Sequence, residues 1–251
     1  MISLEEAIIL SIVQGITEWF PVSSSGHLAI FQHFFGFQNL SYDIFLHFAS
    51  LFAIIFLFKR EILKIMSFDK ESLKYIVLII IAIIPAGIVG FYFLDFFEKF
   101  FYDINYLGIF FILSGLIVYS TKFSDENKSN ISKMDALVIG ILQVIAILPG
   151  VSRSGMTISA GLFRGLSKTT AIKFSFIMSI PLILGAGVLK SKDFLLSGIN
   201  LNILVISFVI TFLVSIFTIK ILIKIISNDK FYLFGIYNIL VGIILLIYSL
   251  V

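Results

Sequence analysis

The chain of 251 residues has no cysteine, four prolines, one tryptophan and only 13% charged residues. Without cysteine, disulfides, thiolate-bound zinc and thiol catalysis are excluded. The charge is about half of the roughly 25% found in an average soluble domain. That is too little to cover a water-soluble globule, which rules out a soluble enzyme, a nucleic-acid-binding domain and a disordered tail. The net charge of +3 is no nucleic-acid footprint, because the basic residues sit in short loops between apolar runs. Met1-Ile2-Ser3-Leu4-Glu5-Glu6 has no basic n-region, so no cleavable signal peptide is expected. What the chain has instead is apolar bulk: 59% hydrophobic residues and a mean hydropathy of +1.11. The apolar runs are long and continuous. They point to an all-α polytopic membrane protein and away from an outer-membrane barrel, whose strands alternate over about ten residues.

Six runs read as transmembrane helices: Ile44–Phe58, Tyr75–Leu94, Ile104–Thr121, Phe174–Leu189, Leu201–Ile219 and Phe231–Tyr248. Spanning takes roughly 17–25 residues, so the first and fourth must extend at their ends. Two other regions break in the middle. Leu4–Phe20 leads into Pro21-Val22-Ser23-Ser24-Ser25-Gly26-His27 and a short run to Phe37. Ala136–Leu148 leads into Pro149-Gly150-Val151-Ser152-Arg153-Ser154-Gly155 and a short run, Met156–Phe163. Each reads as a re-entrant helical hairpin, and non-helical backbone at that depth needs protein or a water-filled cavity around it.

The two hairpins are copies. A shift of 129 positions puts Glu6 on Asp135, Gln14 on Gln143, Ser23 on Ser152, Ser25 on Ser154, Gly26 on Gly155 and Gly36 on Gly165. The chain therefore reads as one integral membrane domain of two repeats, about 1–121 and 132–251. Each repeat is a hairpin plus three transmembrane helices. Three is odd, so the second repeat is expected in inverted topology. With Lys59–Lys74 in the cytoplasm, fourteen Lys and Arg fall on that side, against Lys99, Lys190 and Lys192 opposite. This positive-inside bias predicts both termini outside. Inverted repeats with broken helices put a site near the midplane, between the repeats.

Ionisable residues inside a membrane are functional candidates. The first turn supplies Glu18 and His27, and the second supplies Arg153. Gln14 shares a helix face with Glu18. Ser23, Ser24, Ser25 and Gly26 precede one half-helix, and Ser152, Ser154 and Gly155 precede the other. Backbone N–H groups at such termini bind anions, phosphate above all, and Arg153 adds a bidentate grip. A hydrolytic reading follows, in which a Ser hydroxyl attacks phosphorus and Glu18 or His27 takes its proton. Attack by His27 or directly by water is the other route. His33 reads as interfacial packing, and His47 stays open between packing and site. Pro85 and Pro181 read as kinks. Gly108, Gly115, Gly235 and Gly242 read as close helix packing, within one chain or between two copies.

At these residues a family resemblance becomes close. Gln14-Gly15-Ile16-Thr17-Glu18-Trp19-Phe20-Pro21-Val22-Ser23-Ser24-Ser25-Gly26-His27, together with Pro149-Gly150-Val151-Ser152-Arg153-Ser154-Gly155-Met156-Thr157, resembles the undecaprenyl-diphosphatase (bacitracin-resistance) family. Lys173-Phe174-Ser175-Phe176 and Pro181 extend the likeness over most of the chain. The resemblance implies a plasma-membrane phosphatase that cuts a polyprenyl diphosphate to the monophosphate and inorganic phosphate. It implies Ser24 as nucleophile, Glu18 and His27 as acid/base residues, and Arg153 as phosphate binder. It also implies a divalent cation, Mg2+ or Ca2+, although the sequence offers no metal cage. The family's first motif often opens with Glu where this chain has Gln14, which accepts no proton. The expected partners are the polyprenyl diphosphate and membrane lipids, with no nucleic acid and a homodimer as an option. The competing reading is an inverted-repeat transporter or flippase of a lipid phosphate.

Overall fold

The structure, a computed structural model, describes residues 2–101, 103–125, 128–189, 199–227 and 229–250. Eleven α-helices run through the described residues: α1 (Leu4–Thr17), α2 (Ser24–Phe35), α3 (Leu40–Leu57), α4 (Lys59–Ile65), α5 (Lys70–Glu98), α6 (Ile104–Ser120), α7 (Lys133–Ile145), α8 (Arg153–Phe163), α9 (Lys168–Leu189), α10 (Leu201–Ser227) and α11 (Leu233–Tyr248). Five stretches are long and apolar enough to cross a membrane: α3, α5 to Phe93, α6 with its 3-10 continuation to Phe123, α9 to Val188, and α10 to Ile226. α11 is a sixth apolar helix, of 16 residues.

The apolar runs underestimate α3 and α9. The Asn39 side chain caps α3 by accepting from Tyr42 N at 2.9 Å, so Tyr42 and Asp43 enter the helix and it reaches 18 residues. α9 begins at Lys168 rather than Phe174 and runs 22 residues. α4 was invisible in the sequence because it occupies a charged loop. Pro85 and Pro181 lie inside α5 and α9, but the helical dihedrals of α5 break at Phe93. Lys190 and Lys192, two of the three lysines expected outside, lie outside the described residues.

The helix ends repeat at the 129-residue spacing. Ser3 with Glu6, and Ser132 with Asp135, form capping boxes on α1 and α7. The Ser23 and Ser152 side chains accept from Gly26 N and Gly155 N at the starts of α2 and α8. Gly36 and Gly165, with φ of 74° and 77°, follow those two helices in the left-handed region. The principal helix pairs are α6 with α11, α5 with α7, α1 with α10, α3 with α10 and α3 with α9.

α6 and α11 mesh through glycines of the same chain. A Cβ at Gly115 would lie 2.7 Å from Gly235 O, and one at Gly242 would lie 2.5 Å from Gly108 O. The four glycines singled out in the sequence are thus used internally. α8 is buried along its length, from Ser154 to Leu162. Its Gly, Ala, Ser and Thr residues let α7, α9 and α6 close around it. This puts the Arg153 end of α8 in the interior, facing the end of α1.

Candidate active site

α1 ends at Glu18, and the chain then turns through Trp19-Phe20-Pro21-Val22 into α2. Ser23, the cap of α2, has φ 63° and ψ 93°, outside the regions that non-glycine residues favour. Three contacts hold this turn. The Asn238 amide donates to Pro21 O at 2.7 Å, Ser154 Oγ donates to Phe20 O at 3.1 Å, and Ser23 O lies 2.8 Å from His27 Nδ1. The second turn approaches closely. A Cβ at Gly26 would stand 2.6 Å from the Phe111 ring and 3.0 Å from Gly150 Cα, so only glycine fits.

Glu18 is 6% exposed and saturated with donors. Its Oε2 accepts from Ser24 Oγ at 2.6 Å and from the Gln14 amide at 3.1 Å, and it lies 3.2 Å from His47 Nε2. Its Oε1 accepts from Arg153 Nη2 at 2.5 Å. Ser24 Oγ is also 3.3 Å from His47 Nε2. His47 Nδ1 lies 2.8 Å from the Asp43 carbonyl, so both ring nitrogens have a polar neighbour. The Arg153 guanidinium stacks on the Trp19 ring, with Cζ 5.8 Å from the centroid. Its Nη1 is buried and has no hydrogen-bond partner among the described residues. Ser24 and Arg153 are the first residues of α2 and α8, the same position in the two copies.

These groups line a cavity of about 710 Å³. Glu18, Ser23, Ser24, Ser25, Ser152 and Arg153 form its polar end, with His47, Asp43 and Gln143 beside them. Apolar residues and glycines of α5 and α9 form most of the rest, with Leu40 and Ile44 of α3 and Ala146 and Ile147 after α7. The first backbone N–H groups of α2 and α8 have no intrahelical acceptor and are available to an anion.

The structure brings Ser24, Glu18 and Arg153 into one hydrogen-bonded group, with Gln14 behind Glu18. Ser23, Ser25 and Ser152 line the same cavity. Gly26, Gly155 and Ser154 serve the turns: Gly155 N donates to Ser152 Oγ at 3.0 Å. His27 stands apart. Its Nε2 lies 2.8 Å from Tyr237 Oη, its ring stacks on Tyr237 and meets Phe111 edge-on, and it does not line the cavity. His47 takes the place beside Ser24. His33 meets the rings of Phe34 and Tyr248.

The sequence reading missed Asp43, which is 4% exposed, lines the cavity and accepts from the Gln32 amide at 2.5 Å. Its spacing of four from His47 was the available signal, since that puts both on one face of α3. Among the described residues, no group of three or more His, Asp or Glu is placed to hold a metal ion.

Comparison with known proteins agrees over the whole length. The family model for bacitracin resistance protein BacA matches residues 7–244. The chain is 40% identical over 252 residues to the undecaprenyl-diphosphatase of Carboxydothermus hydrogenoformans, covering 96% of each. It is 39% identical to the undecaprenyl-diphosphatase of Methanococcus vannielii, over 97% of this chain and 99% of that one. The undecaprenyl-diphosphatase of Treponema denticola is also 39% identical, over 98% and 97%.

Proposed function

The chain belongs to the bacitracin resistance protein BacA family, and from that membership and its site we propose that it hydrolyses undecaprenyl diphosphate to undecaprenyl phosphate and inorganic phosphate. The reaction recycles the lipid carrier of cell-wall and surface-glycan assembly. The observation that carries the reading is a serine hydroxyl hydrogen-bonded at 2.6 Å to a carboxylate whose other oxygen holds an arginine, at the polar end of an apolar cavity.

Ser24 Oγ attacks the terminal phosphorus while its proton passes to Glu18 Oε2. The bridging P–O bond breaks, its electron pair leaves with undecaprenyl phosphate, and Glu18 returns the proton to that leaving oxygen. Water then attacks the phosphoserine and gives a proton to Glu18, which releases inorganic phosphate and restores Ser24 with a proton. Arg153 Nη1, the N–H groups at the start of α2 and the Ser23 and Ser25 hydroxyls hold the phosphoryl oxygens as charge builds on them. His47 lies against both Glu18 and Ser24 and holds the Ser24 hydroxyl beside the carboxylate. His27 acts at one remove, by fixing the Ser23 carbonyl and with it the strained turn.

The described residues do not fit a protein-built Mg2+ or Ca2+ cage, because Glu18 is occupied by donors and no three-ligand cluster is present among them. A divalent cation would arrive on the oxygens of the diphosphate, as Mg2+ does with phosphate substrates. No step above is routed through one.

The matched caps and the exchange of helix pairs support two repeats related by a two-fold: α1 with α10 mirrors α7 with α5, while α3–α9 and α6–α11 map onto themselves. With three spans each, the repeats lie inverted in the plasma membrane, with re-entrant hairpins and both termini outside. A transporter or flippase of lipid phosphate is not favoured, since a carrier has no use for a serine bonded to a carboxylate. The glycines of α6 and α11 lend no support to a homodimer, being used within the chain.

Phosphate release by purified protein from undecaprenyl diphosphate tests the reading. Ser24→Ala, Arg153→Ala and Glu18→Gln should each lower kcat, the last by about 10²–10⁴-fold as for loss of a general base. Undiminished release from Ser24→Ala would refute the serine mechanism.

A further inference from the structure

The glycines inside the helices fall into two groups. At Gly108, Gly115, Gly140, Gly235 and Gly242, a Cβ would come within 2.4–2.9 Å of a neighbouring helix, and close packing accounts for them. At Gly87 and Gly185 a Cβ would meet nothing within 4 Å, at Gly90 only Ile147 Cδ1 at 3.9 Å, and at Gly187 only Phe48 Cδ2 at 3.9 Å. None of these four has a positive φ. Glycine weakens a helix interior, so neither packing nor backbone conformation explains it here.

Gly87, Gly90 and Gly185, three of the four, line the cavity that holds Ser24, Glu18 and Arg153. Gly87 and Gly90 are three apart on α5 and share a face. Gly185 lies on α9, which forms another wall. The polar groups gather at one end. Away from them the lining reaches Ile88 and Phe91, which are 54% and 67% exposed on the outer surface of α5. The cavity therefore runs from the phosphate-binding end to the lipid-facing surface. Its volume lies within the roughly 300–1,000 Å³ of small-molecule sites, and a diphosphate group alone would leave the apolar part empty. Two of its lining residues carry a buried polar atom with no hydrogen-bond partner among the described residues, Gln143 its Oε1 and Arg153 its Nη1.

We propose that Gly87, Gly90 and Gly185 are specificity-determining residues. Their missing side chains keep open the channel through which the polyprenyl tail passes from the phosphate site to the bilayer. A methyl-branched prenyl chain is wider than a linear acyl chain, and a wall of ordinary residues on both helices would pinch it. The inference rests on the diphosphatase reading and adds which residues admit the long tail.

The test compares undecaprenyl diphosphate with farnesyl diphosphate, which carries the same head on a short tail, using full-length protein in mixed micelles. Gly87→Leu and Gly185→Leu should each lower the undecaprenyl-to-farnesyl ratio of kcat/KM by about tenfold or more, with the loss carried by the KM for the long substrate. Gly87→Ala and Gly185→Ala, which meet no neighbour, should fold with an undiminished Tm and give smaller shifts in the same direction. A ratio unchanged in the leucine variants, or equal losses on both substrates, overturns the channel. If a leucine variant does not fold, an unchanged ratio in the alanine pair overturns it instead. Wild-type protein that releases phosphate from neither substrate sinks the diphosphatase reading itself.

Discussion

Two histidines lie close to the first turn of α2, and their surroundings separate them. His47 touches Ser24 and Glu18 directly. His27 holds Ser23 O with one nitrogen and meets Tyr237 Oη with the other, the contacts on which the proposed positioning of the turn at Ser23, with φ 63°, rests. His27→Phe removes both side-chain bonds, while Ser23 O keeps the His27 backbone N–H and the Tyr237 side chain is 44% exposed, so the cost is that of two ordinary hydrogen bonds, roughly 0.5–1.5 kcal/mol each. It should lower Tm by several degrees and phosphate release by at least about tenfold, as the loss of catalytic geometry does. Tyr237→Phe should do both to a smaller extent. If His27 instead acted on phosphorus, Tyr237→Phe would be silent and His27→Phe would keep its Tm. Thermal unfolding and kcat measured on the two variants decide. The closeness of Ser24 to Glu18 was legible, because six residues and a proline turn separate them. The direction of the His27 ring was not, because its partner lies 210 residues away. His47 remained open for the same reason: nothing local ties α3 to the hairpin.

At the scale of elements, one carboxylate locks the second hairpin. Asp135, in the first turn of α7, has a fully buried side chain and accepts from Lys128 Nζ at 2.8 and 2.9 Å, from Arg164 Nε at 2.8 Å and from Ser132 N at 2.9 Å. Arg164 caps the far end of α8, so Asp135 joins the mouth of the hairpin while Arg153 serves its tip. Burial pushes this carboxyl up, but the hydrogen bonds from Lys128, Ser132 and Arg164 outweigh it and hold its pKa well below the usual range. A carboxylate with a lowered folded pKa stabilises fully above its unfolded pKa of about 3.9 and loses that stabilisation as pH falls toward the folded value. Asp135→Asn should therefore cost roughly 1.5–3 kcal/mol at neutral pH, the worth of hydrogen bonds to charged groups. Its Tm deficit against wild type should be constant above about pH 5 and narrow below about pH 4. A deficit that persists unchanged at low pH would mean that the loss is one of packing. The capping boxes of α1 and α7 were legible as Ser followed three residues later by Glu or Asp. The Lys128 and Arg164 clamp was not, because it forms only when α7 and α8 fold back on each other.

For the whole molecule, the matched helix caps at a spacing of 129 residues were legible because the residues that form them recur in the sequence with no gap. Five of the six spans read from the sequence are helices long and apolar enough to cross a membrane, because lipid-facing helices keep long apolar runs, and the sixth run is the 16-residue α11. The apolar cavity wall could not be, because Gly87 and Gly185 resemble packing glycines until their surroundings are known. The proposed inversion of the repeats has a sharp consequence, since corresponding residues would then face opposite sides of the membrane. Glu5 and Met134, 129 apart, are both exposed in the first turns of α1 and α7. Gln38 and Thr169 lie near the far ends of the two hairpins and are also exposed. The natural chain has no cysteine, so single cysteines at these positions report without background. Glu5→Cys and Gln38→Cys should react with a membrane-impermeant maleimide in intact cells, and Met134→Cys and Thr169→Cys only after lysis. The basic residues favour this arrangement over its mirror, because Lys128, Lys133, Arg164 and Lys168 cluster at the mouth of the second hairpin and none lies at the mouth of the first. Labelling of both members of a pair from one side would make the repeats parallel. Ser24 and Arg153 would then approach the site from the same leaflet, and the midplane meeting of the two hairpins would have to be abandoned.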